Sequence, residues 1–201
     1  MISVLIADDQ ALVRGALRAL LNLEDDISVV AEVGRGDELV EALRLHPADV
    51  AVVDIEMPGL DGISATVAVC EAGLDTKVLI VTTFGRPGYV QRALAAGAKG
   101  FIVKDTPADE LANAIRTISS GGQVVDPALA TQSLFSGANP LTKREQELLL
   151  IAEDGLTIAE IAGQVFLSEG TVRNHLSSAI GKTDATTRAQ AAHIARENGW
   201  L

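Results

Sequence analysis

The fold is decided by the stretch Val50-Ala51-Val52-Val53-Asp54 and by the turn Met57-Pro58-Gly59 that follows it. Four apolar residues form a strand buried on both faces, and proline and glycine end it soon after Asp54. Other apolar runs also end in polar side chains, which are Asp8, Asp9, Thr82 and Lys104. Because the carboxyl ends of parallel strands share one edge of an open α/β sheet, we expect these side chains to meet there.

Strands and helices alternate through the first 118 residues. Short, nearly continuous apolar runs predict the strands, and the stretches between them have helical periodicity, as in Leu12, Ala16, Leu17, Leu20 and Leu21. The strands are predicted at 3–7, 28–32, 50–53, 78–82 and 100–103. Five such units predict an α/β domain over 1–118, with a doubly wound five-stranded parallel sheet and right-handed crossovers.

The rest of the chain has a different pattern. Turn-forming residues over 119–139 predict a linker, with a short helix starting near Asp126. Residues 140–201 are predicted to form an all-α domain of four helices, because helix-start signals recur at short intervals. The signals are Thr142 with Glu145, Thr157 with Glu160, Ser168 and Thr187, and the helix ends are predicted near Asp154, Val165, Lys182 and Asn198.

Composition limits the classes of protein that fit. The net charge is −11 and hydrophobic residues make up 48% of the chain. Apolar runs are far shorter than a membrane span, and no basic leader precedes the first strand, so we expect a cytoplasmic protein without membrane insertion. One cysteine, Cys70, excludes an internal disulfide framework and fits a reducing compartment. The acidic balance argues against nucleic-acid binding, although residues 170–192 are locally basic.

The polar strand ends are suited to phosphoryl chemistry. A carboxylate such as Asp54 can attack phosphorus and form an aspartyl phosphate. Asp8 and Asp9 would hold Mg²⁺, which neutralises acids that would otherwise repel the phosphoryl group. Lys104 would pair with phosphoryl oxygens as a mobile charge, and Thr82 would hydrogen-bond the group once it is in place.

These residues also carry a family resemblance. The segments Ile6 to Gln10, Val53 to Gly59, Val81 to Thr83 and Phe101 to Lys104 resemble a CheY-like receiver domain of a response regulator. The resemblance implies that a sensor histidine kinase phosphorylates Asp54. It implies Mg²⁺ on Asp9 and Asp54, with Asp8 acting partly through water and Glu56 through its backbone carbonyl. It further implies that Thr82 and Phe101 change rotamer on phosphorylation.

Two points in that comparison stay open. Phe101 stands where the family more often has tyrosine, so plain core packing is an equal alternative to a switch role. Asp105 stands where many receivers have a cis proline, so the Lys104–Asp105 bond is either trans, or cis at a cost of about 3 kcal/mol.

Residues 158–175 have helix-turn-helix form. The first helix packs through Ile158, Ile161 and Val165, and the second helix leaves a polar face open. A recognition helix lays its N-terminal part in the major groove, so Arg173 could read guanine and Asn174 could read adenine. The DNA-binding candidates are Thr171, Arg173, Asn174 and Ser177 on the open face, Lys182 and Arg188 on phosphates, and His175 as a phosphate contact or packing residue.

A four-helix protein-interaction bundle is the alternative, and the acidic charge favours it. However, Leu141 to Glu145, Ile158 to Ala162 and Leu167 to His175 resemble the LuxR-type DNA-binding domain. That resemblance covers residues 140–199. It implies that Arg173 and Asn174 face bases and that the last helix, 187–198, can form a dimer contact.

Together the two halves resemble a NarL/FixJ-type response regulator, and residues 22–26, 82–89 and 110–116 look most like the DesR-type subgroup, which controls membrane-lipid genes. The resemblance implies a regulator rather than an enzyme. Phosphorylation would drive homodimerisation and sequence-specific binding to double-stranded DNA, with RNA polymerase as a further partner.

Three alternatives are weaker on the residues. An aspartyl-phosphate phosphatase would carry Asp-x-Asp, but Glu56 takes the second position. A nucleotide-binding Rossmann domain has only Gly34-Arg35-Gly36 in its favour, after the wrong strand and without the third glycine. A phosphorylation-independent DNA-binding regulator with a relic receiver is not excluded by any residue.

Overall fold

A computed structural model describes residues 1–83, 87–127, 129–130, 139–153 and 155–201. The chain divides into two compact units. The first comprises Met1–Gly85 with Val90–Ala130, and the second comprises Arg86–Tyr89 with Thr131–Leu201. The predicted domain limits at 118 and 140 stay predictions, as does the part of the linker that lies outside the described residues.

The first unit is built on a parallel sheet in the order β2-β1-β3-β4-β5-β6, which confirms the α/β fold class. The strands are β1 (Ile2–Ala7), β2 (Ile27–Val33), β3 (Val50–Val53), β4 (Lys77–Thr82), β5 (Gly100–Val103) and β6 (Val124–Val125). The order runs outward in both directions from β1 and β3, so the carboxyl ends of these two strands lie side by side.

The sheet has six strands, where the sequence predicts five. β6 pairs with β5 through Gly100–Val124 and Phe101–Val125 only. Two residues are too few to show the apolar periodicity from which strands are predicted, and this pair falls in the predicted linker.

Helices flank the sheet. They are α1 (Ala11–Leu21), α2 (Leu39–Leu45) after a short 3₁₀ turn at Gly36–Glu38, α3 (Gly62–Glu71), α4 (Pro87–Ala95) and α5 (Ala108–Ser119). Asp61 begins α3, because its carboxylate accepts hydrogen bonds from the backbone N–H groups of Ile63 and Ser64. The loop that follows Asp54 ends at this cap.

Helix α1 differs from the predicted packing pattern. Leu21 is buried and Leu17 is partly buried, but Leu12 is 86% exposed and Leu20 is 43% exposed. Leu17 and Leu21 face the sheet at i, i+4 spacing, whereas Leu20 lies beside that stripe and Leu12 lies on the opposite face of the helix. Ala16, also predicted to pack, is exposed. The helix therefore presents apolar side chains to solvent.

The second unit is all-α, as predicted. Its helices are α6 (Lys143–Glu153), α7 (Ile158–Gln164), α8 (Glu169–Lys182) and α9 (Arg188–Glu197), and the predicted end of α6 at Asp154 lies outside the described residues. Thr157 and Glu160 form the predicted capping box, and Ser168 and Thr187 cap the next two helices. The core includes Leu148, Leu149, Ile161, Val172, Leu176 and Ala191.

Asp126 begins a helical turn where a short helix is predicted. Its side chain accepts from the backbone N–H of Leu129, and its carbonyl accepts from that of Ala130. Residues 128 and 131–138 of that predicted region lie outside the described part of the chain. Across the described residues, none of the helices has the length and apolarity to cross a membrane.

Candidate functional site

The side chain of Lys104 lies between two buried carboxylates at the carboxyl edge of the sheet. Its Nζ is 2.6 Å from Asp8 Oδ2 and 2.8 Å from Asp54 Oδ2. Asp8 is 2% exposed and Asp54 is 4% exposed. Each acid is fixed on its other oxygen, since Asp8 Oδ1 accepts from the Gln10 N–H and Asp54 Oδ1 accepts from the Ile55 N–H. The structure therefore brings together the three residues that the sequence placed at separate strand ends.

The same edge has the ligands that a divalent cation needs. Carboxylate oxygens of Asp8, Asp9 and Asp54 lie within 4.8 Å of one another, and Asp9 is exposed. Oxygen ligands with one open side suit Mg²⁺, which retains several waters when bound to protein. Glu56 is exposed two residues beyond Asp54. The residues present fit Mg²⁺, and the specific ligand assignment stays a prediction.

Burial controls the electrostatics of this site. Burial raises the pKa of Asp54 above its ordinary value and the Asp8 charge adds to this, although Lys104 opposes it. Burial would lower the pKa of Lys104, but its contacts with Asp54 and Asp8 outweigh burial and raise it. Lys104 thus stays charged, and the remaining negative charge attracts a second cation.

Thr82 and Phe101 lie on the two strands next to the acids. Thr82 ends β4 and is 1% exposed, and its carbonyl accepts from the Lys104 N–H at 2.8 Å. Phe101 lies within β5 and is fully buried. Thr82 is therefore next to Lys104, and Phe101 packs in the core. The predicted rotamer changes of both side chains stay predictions.

The Lys104–Asp105 peptide bond is trans, as are the other peptide bonds that the structure describes. Lys104 reaches both carboxylates with this geometry.

The predicted DNA-reading residues on helix α8 differ in their exposure to solvent. The Arg173 side chain is 64% exposed and forms a long 3.9 Å ion pair with Glu169. Asn174 and Ser177 are exposed as well, whereas Thr171 is partly buried and its hydroxyl contacts Ser168. Arg173 and Asn174 are thus exposed to solvent, and their contacts with bases stay predictions.

The remaining DNA-binding candidates are less open. His175 is partly buried on α8, and Arg188 is partly buried as the first residue of α9. Lys182 Nζ contacts both carboxylate oxygens of Glu145, at 2.7 and 3.0 Å. The phosphate contact predicted for Lys182 is untested, and Glu145 would compete with phosphate for the ammonium group.

Sequence reasoning missed the role of Glu145 beyond helix capping. Glu145 is 3% exposed and also accepts from the Ser178 hydroxyl. Burial opposes its ionisation, but the hydrogen bonds from Lys182, Ser178 and Thr142 outweigh burial and lower the pKa of Glu145 to about 2. No signal in the sequence links residues 145 and 182, because the partners lie on different helices.

Comparison with known proteins assigns a family to each part of the chain. Residues 4–116 match the family described as response regulator receiver domain, and residues 139–195 match the family described as bacterial regulatory proteins, luxR family. This chain is a LuxR-type response regulator. It therefore belongs to a family of two-component transcription regulators that work with histidine kinases and bind DNA.

Relatives of the regulator match over its whole length. The transcriptional regulatory protein DesR of Bacillus subtilis (strain 168) is 44% identical over 201 residues and covers 100% of both chains. The uncharacterized transcriptional regulatory protein YvfU of the same organism is 45% identical, again with 100% of each chain covered. The resemblance to DesR-type regulators inferred from sequence is therefore confirmed.

Solved structures give the same result for the regulator. The response regulator ChrA of a heme-sensing two-component system has a TM-score of 0.59 and 35% identity, over 100% of this chain and 98% of ChrA. RcsB of Salmonella enterica serovar Typhimurium, bound to a promoter, has a TM-score of 0.70 over 98% of each chain. At 22% identity, the RcsB likeness supports the fold alone.

Proposed function

We propose that Asp54 of the regulator accepts a phosphoryl group from a sensor histidine kinase, and that this phosphorylation drives dimerisation and sequence-specific DNA binding. The observation that carries the proposal is the buried Asp54 carboxylate, 2.8 Å from Lys104 and within 4.8 Å of further acidic oxygens. A nucleophilic carboxylate, a cation and a metal-binding acid pair are the parts that phosphoryl transfer to an aspartate requires.

Each residue has a distinct task in this proposal. Asp8, Asp9, Asp54 and the Glu56 carbonyl would hold Mg²⁺, which supplies positive charge against the incoming phosphoryl oxygens. Lys104 would move from the Asp54 carboxylate to a phosphoryl oxygen, since its long stem lets the ammonium shift. Thr82 would donate a hydrogen bond to the phosphoryl group, and its position beside Lys104 supports this role.

The conformational output would start from the same two residues. Movement of Thr82 and Lys104 toward the phosphoryl group would repack the α4 region and an exposed helical face. Two receivers would then pair, and two DNA-binding domains would reach half-sites about one helical turn apart. RNA polymerase is the proposed further partner, and the cytoplasm is the proposed compartment.

Helices α1 and α5 are the proposed receiver pairing surface. Leu12, Leu20 and Leu23 are exposed on and just after α1, and exposed large apolar side chains suit an interaction surface. Arg116 of α5 binds the carboxylates of Glu24 and Asp26 at 2.6 and 2.7 Å, which fixes the loop after α1 against α5. These features support pairing through the two helices.

The target genes stay a prediction. Control of membrane-lipid genes rests on the likeness to DesR, but YvfU is equally similar at 45% identity against 44% for DesR. Profiling transcripts after removal of the regulator tests it: a change confined to genes unrelated to membrane lipids would contradict the prediction.

The deciding experiment treats the full chain with Mg²⁺ and acetyl phosphate and measures intact mass and oligomeric state together. We expect one added phosphoryl group and a shift from monomer to dimer, both absent in Asp54→Ala and both retained in Asp75→Ala, whose carboxylate is exposed. If untreated Asp54→Ala dimerises and binds DNA as strongly as treated wild type, the regulator acts independently of phosphorylation and the receiver site is a relic.

A further inference from the structure

The turn between α7 and α8 holds an aromatic residue in a position that usually requires glycine. Helix α7 ends in a Schellman motif, because the Leu167 N–H donates to the Ala162 carbonyl at 3.0 Å. The residue between the helix cap and Leu167 is Phe166, with φ of 54°. A bulky side chain is disfavoured in this left-handed region, since its Cβ crowds the backbone.

Other helices of the chain use residues that suit this conformation. Residues of positive φ follow the ends of five helices as glycine, namely Gly73, Gly97, Gly121, Gly155 and Gly199. Helix α8 ends in the same motif at Asp184, with φ of 52°, and aspartate tolerates this region better than an aromatic residue does. Among the described residues, Phe166 is thus the bulky exception.

Packing of the ring does not offset the cost of this backbone conformation. Phe166 is 94% exposed, the highest value among the exposed large hydrophobic residues of the described chain. A buried phenylalanine would contribute to folding through its apolar area, and this one does not. Strain and exposure at one residue point to a function outside the fold.

Hydrogen bonds fix the backbone on both sides of Phe166. The Arg144 guanidinium donates to the Val165 carbonyl at 3.0 Å, and Arg144 is itself paired with Glu147. Two residues after Phe166, Ser168 caps α8. The Cα of Phe166 is therefore within about 7 Å of Ser168, where the recognition helix starts.

The position of the ring in the helix-turn-helix favours DNA over a protein partner. Along the chain, Phe166 stands two residues before Ser168, which caps the predicted recognition helix. The N-terminal part of a recognition helix enters the major groove, where phenylalanine can contact a thymine methyl group.

We propose that Phe166 is a DNA-contacting residue that packs its ring on an apolar surface of the duplex, a thymine methyl or a deoxyribose, at the flank of each half-site. The proposal deepens the DNA-binding role given above and rests on it. A contact between this ring and DNA explains why an aromatic residue occupies a strained position.

The test uses the full chain treated with acetyl phosphate and a duplex that this protein selects from a random-sequence pool. We expect Phe166→Gly and Phe166→Asn to weaken binding about five- to ten-fold in fluorescence anisotropy. Both variants should keep or raise the melting midpoint, because they remove strain. Asp184→Gly is the matched control, since it relieves the same backbone conformation and should bind DNA at least as well as wild type.

Two further arms separate the outcomes. Replacing flanking thymines with uracil removes only the methyl groups. A loss for wild type but not for Phe166→Gly assigns the contact to a methyl, and no loss assigns it to deoxyribose. Arg173→Ala should abolish sequence preference, and if it does not, or if no duplex is selected, the DNA-binding assignment of α8 fails with the proposal.

Other results overturn the Phe166 proposal alone. Unchanged affinity in both Phe166 variants, with Arg173→Ala defective, would exclude a DNA contact. Unchanged affinity with lost transcription in vitro would assign the ring to a protein partner. A lowered melting midpoint in Phe166→Gly would make the ring a structural element.

Discussion

Lys104 neutralises part of a site that holds more acid than base. It contacts Asp8 and Asp54, which are both buried, while Asp9 remains exposed beside them. Two buried carboxylates with one ammonium leave net negative charge in a region of low dielectric constant. The free protein is therefore prepared for a divalent cation, and Lys104 holds the acids together until one binds.

Removing Lys104 should show this directly. We expect Lys104→Gln to lose about 2–4 kcal/mol of unfolding free energy without metal, because two buried acids lose their shared partner. Mg²⁺ should restore part of the loss. Urea unfolding with and without Mg²⁺ measures both effects, and Lys99→Gln, at an exposed lysine, is the control. Equal stability of Lys104→Gln and wild type in the absence of Mg²⁺ would contradict this.

Glu145 should make the helical unit sensitive to acid. Its pKa falls from an ordinary 4.5 to about 2 in the folded protein, so the unfolded chain binds the proton more readily. The stabilisation, about 3 kcal/mol, is complete above about pH 5 and is lost as pH falls toward 2.

Unfolding measured across that pH range checks the Glu145 effect. Glu145→Gln should be less stable at neutral pH and should show a flatter pH dependence between 5 and 2. Glu147→Gln is the control, because Glu147 is exposed on the same helix and should retain the wild-type slope. A slope unchanged in Glu145→Gln would be evidence against the role of this carboxylate.

Helix α1 has leucine side chains that pack toward the sheet and others that face solvent. Leu17 and Leu21 pack toward the sheet, while Leu12 and Leu20 face solvent. A helix that served only to cover the sheet would carry polar side chains at the outer positions. The exposed leucines are thus free to contact a second molecule.

Changing these leucines should affect pairing and not folding. We expect Leu12→Ser with Leu20→Ser to weaken dimerisation of the acetyl phosphate-treated protein at least about ten-fold, because buried apolar contact is lost at the interface. Melting of the monomer should change little. Leu45→Ser is the matched control, since Leu45 is 67% exposed on α2. Analytical ultracentrifugation would decide, and wild-type dimerisation of the double variant would rule out this surface.

Each of the two units has hydrophobic core residues of its own among those that the structure describes. In the first unit they include Ile6, Val52 and Ile115, between the sheet and its helices, and in the second they include Leu148 and Leu149 within α6–α9. We expect a core substitution to act on the unit in which the residue is buried.

Calorimetry of the full chain tests this independence. Leu148→Ala should lower the unfolding free energy of the helical unit by about 2–5 kcal/mol. Ile115→Ala should lower the unfolding free energy of the receiver by a similar amount. Mg²⁺ should raise only the receiver transition. A single transition shifted equally by both substitutions would show that the two cores unfold together.

Local patterns carried most of the prediction. The run 50–53 with Asp54, the apolar strands on either side and the helix-start pairs such as Thr157 with Glu160 each depend on neighbours within a few residues. Parallel strands then place their carboxyl ends at one edge whatever the details of the loops. For this reason the residues of the acidic site are predictable from the sequence alone.

The sequence by itself determined the two fold classes, the order of the elements and the residues of the acidic site, because periodicity and strand ends are local properties. Only the tertiary structure decided that Lys104 bridges Asp8 and Asp54, that Lys182 pairs with Glu145, that β6 joins the sheet and that Leu12 and Phe166 face solvent. Pairing and exposure depend on which segments, distant along the chain, come to lie against one another, and that outcome is set by packing of the whole unit.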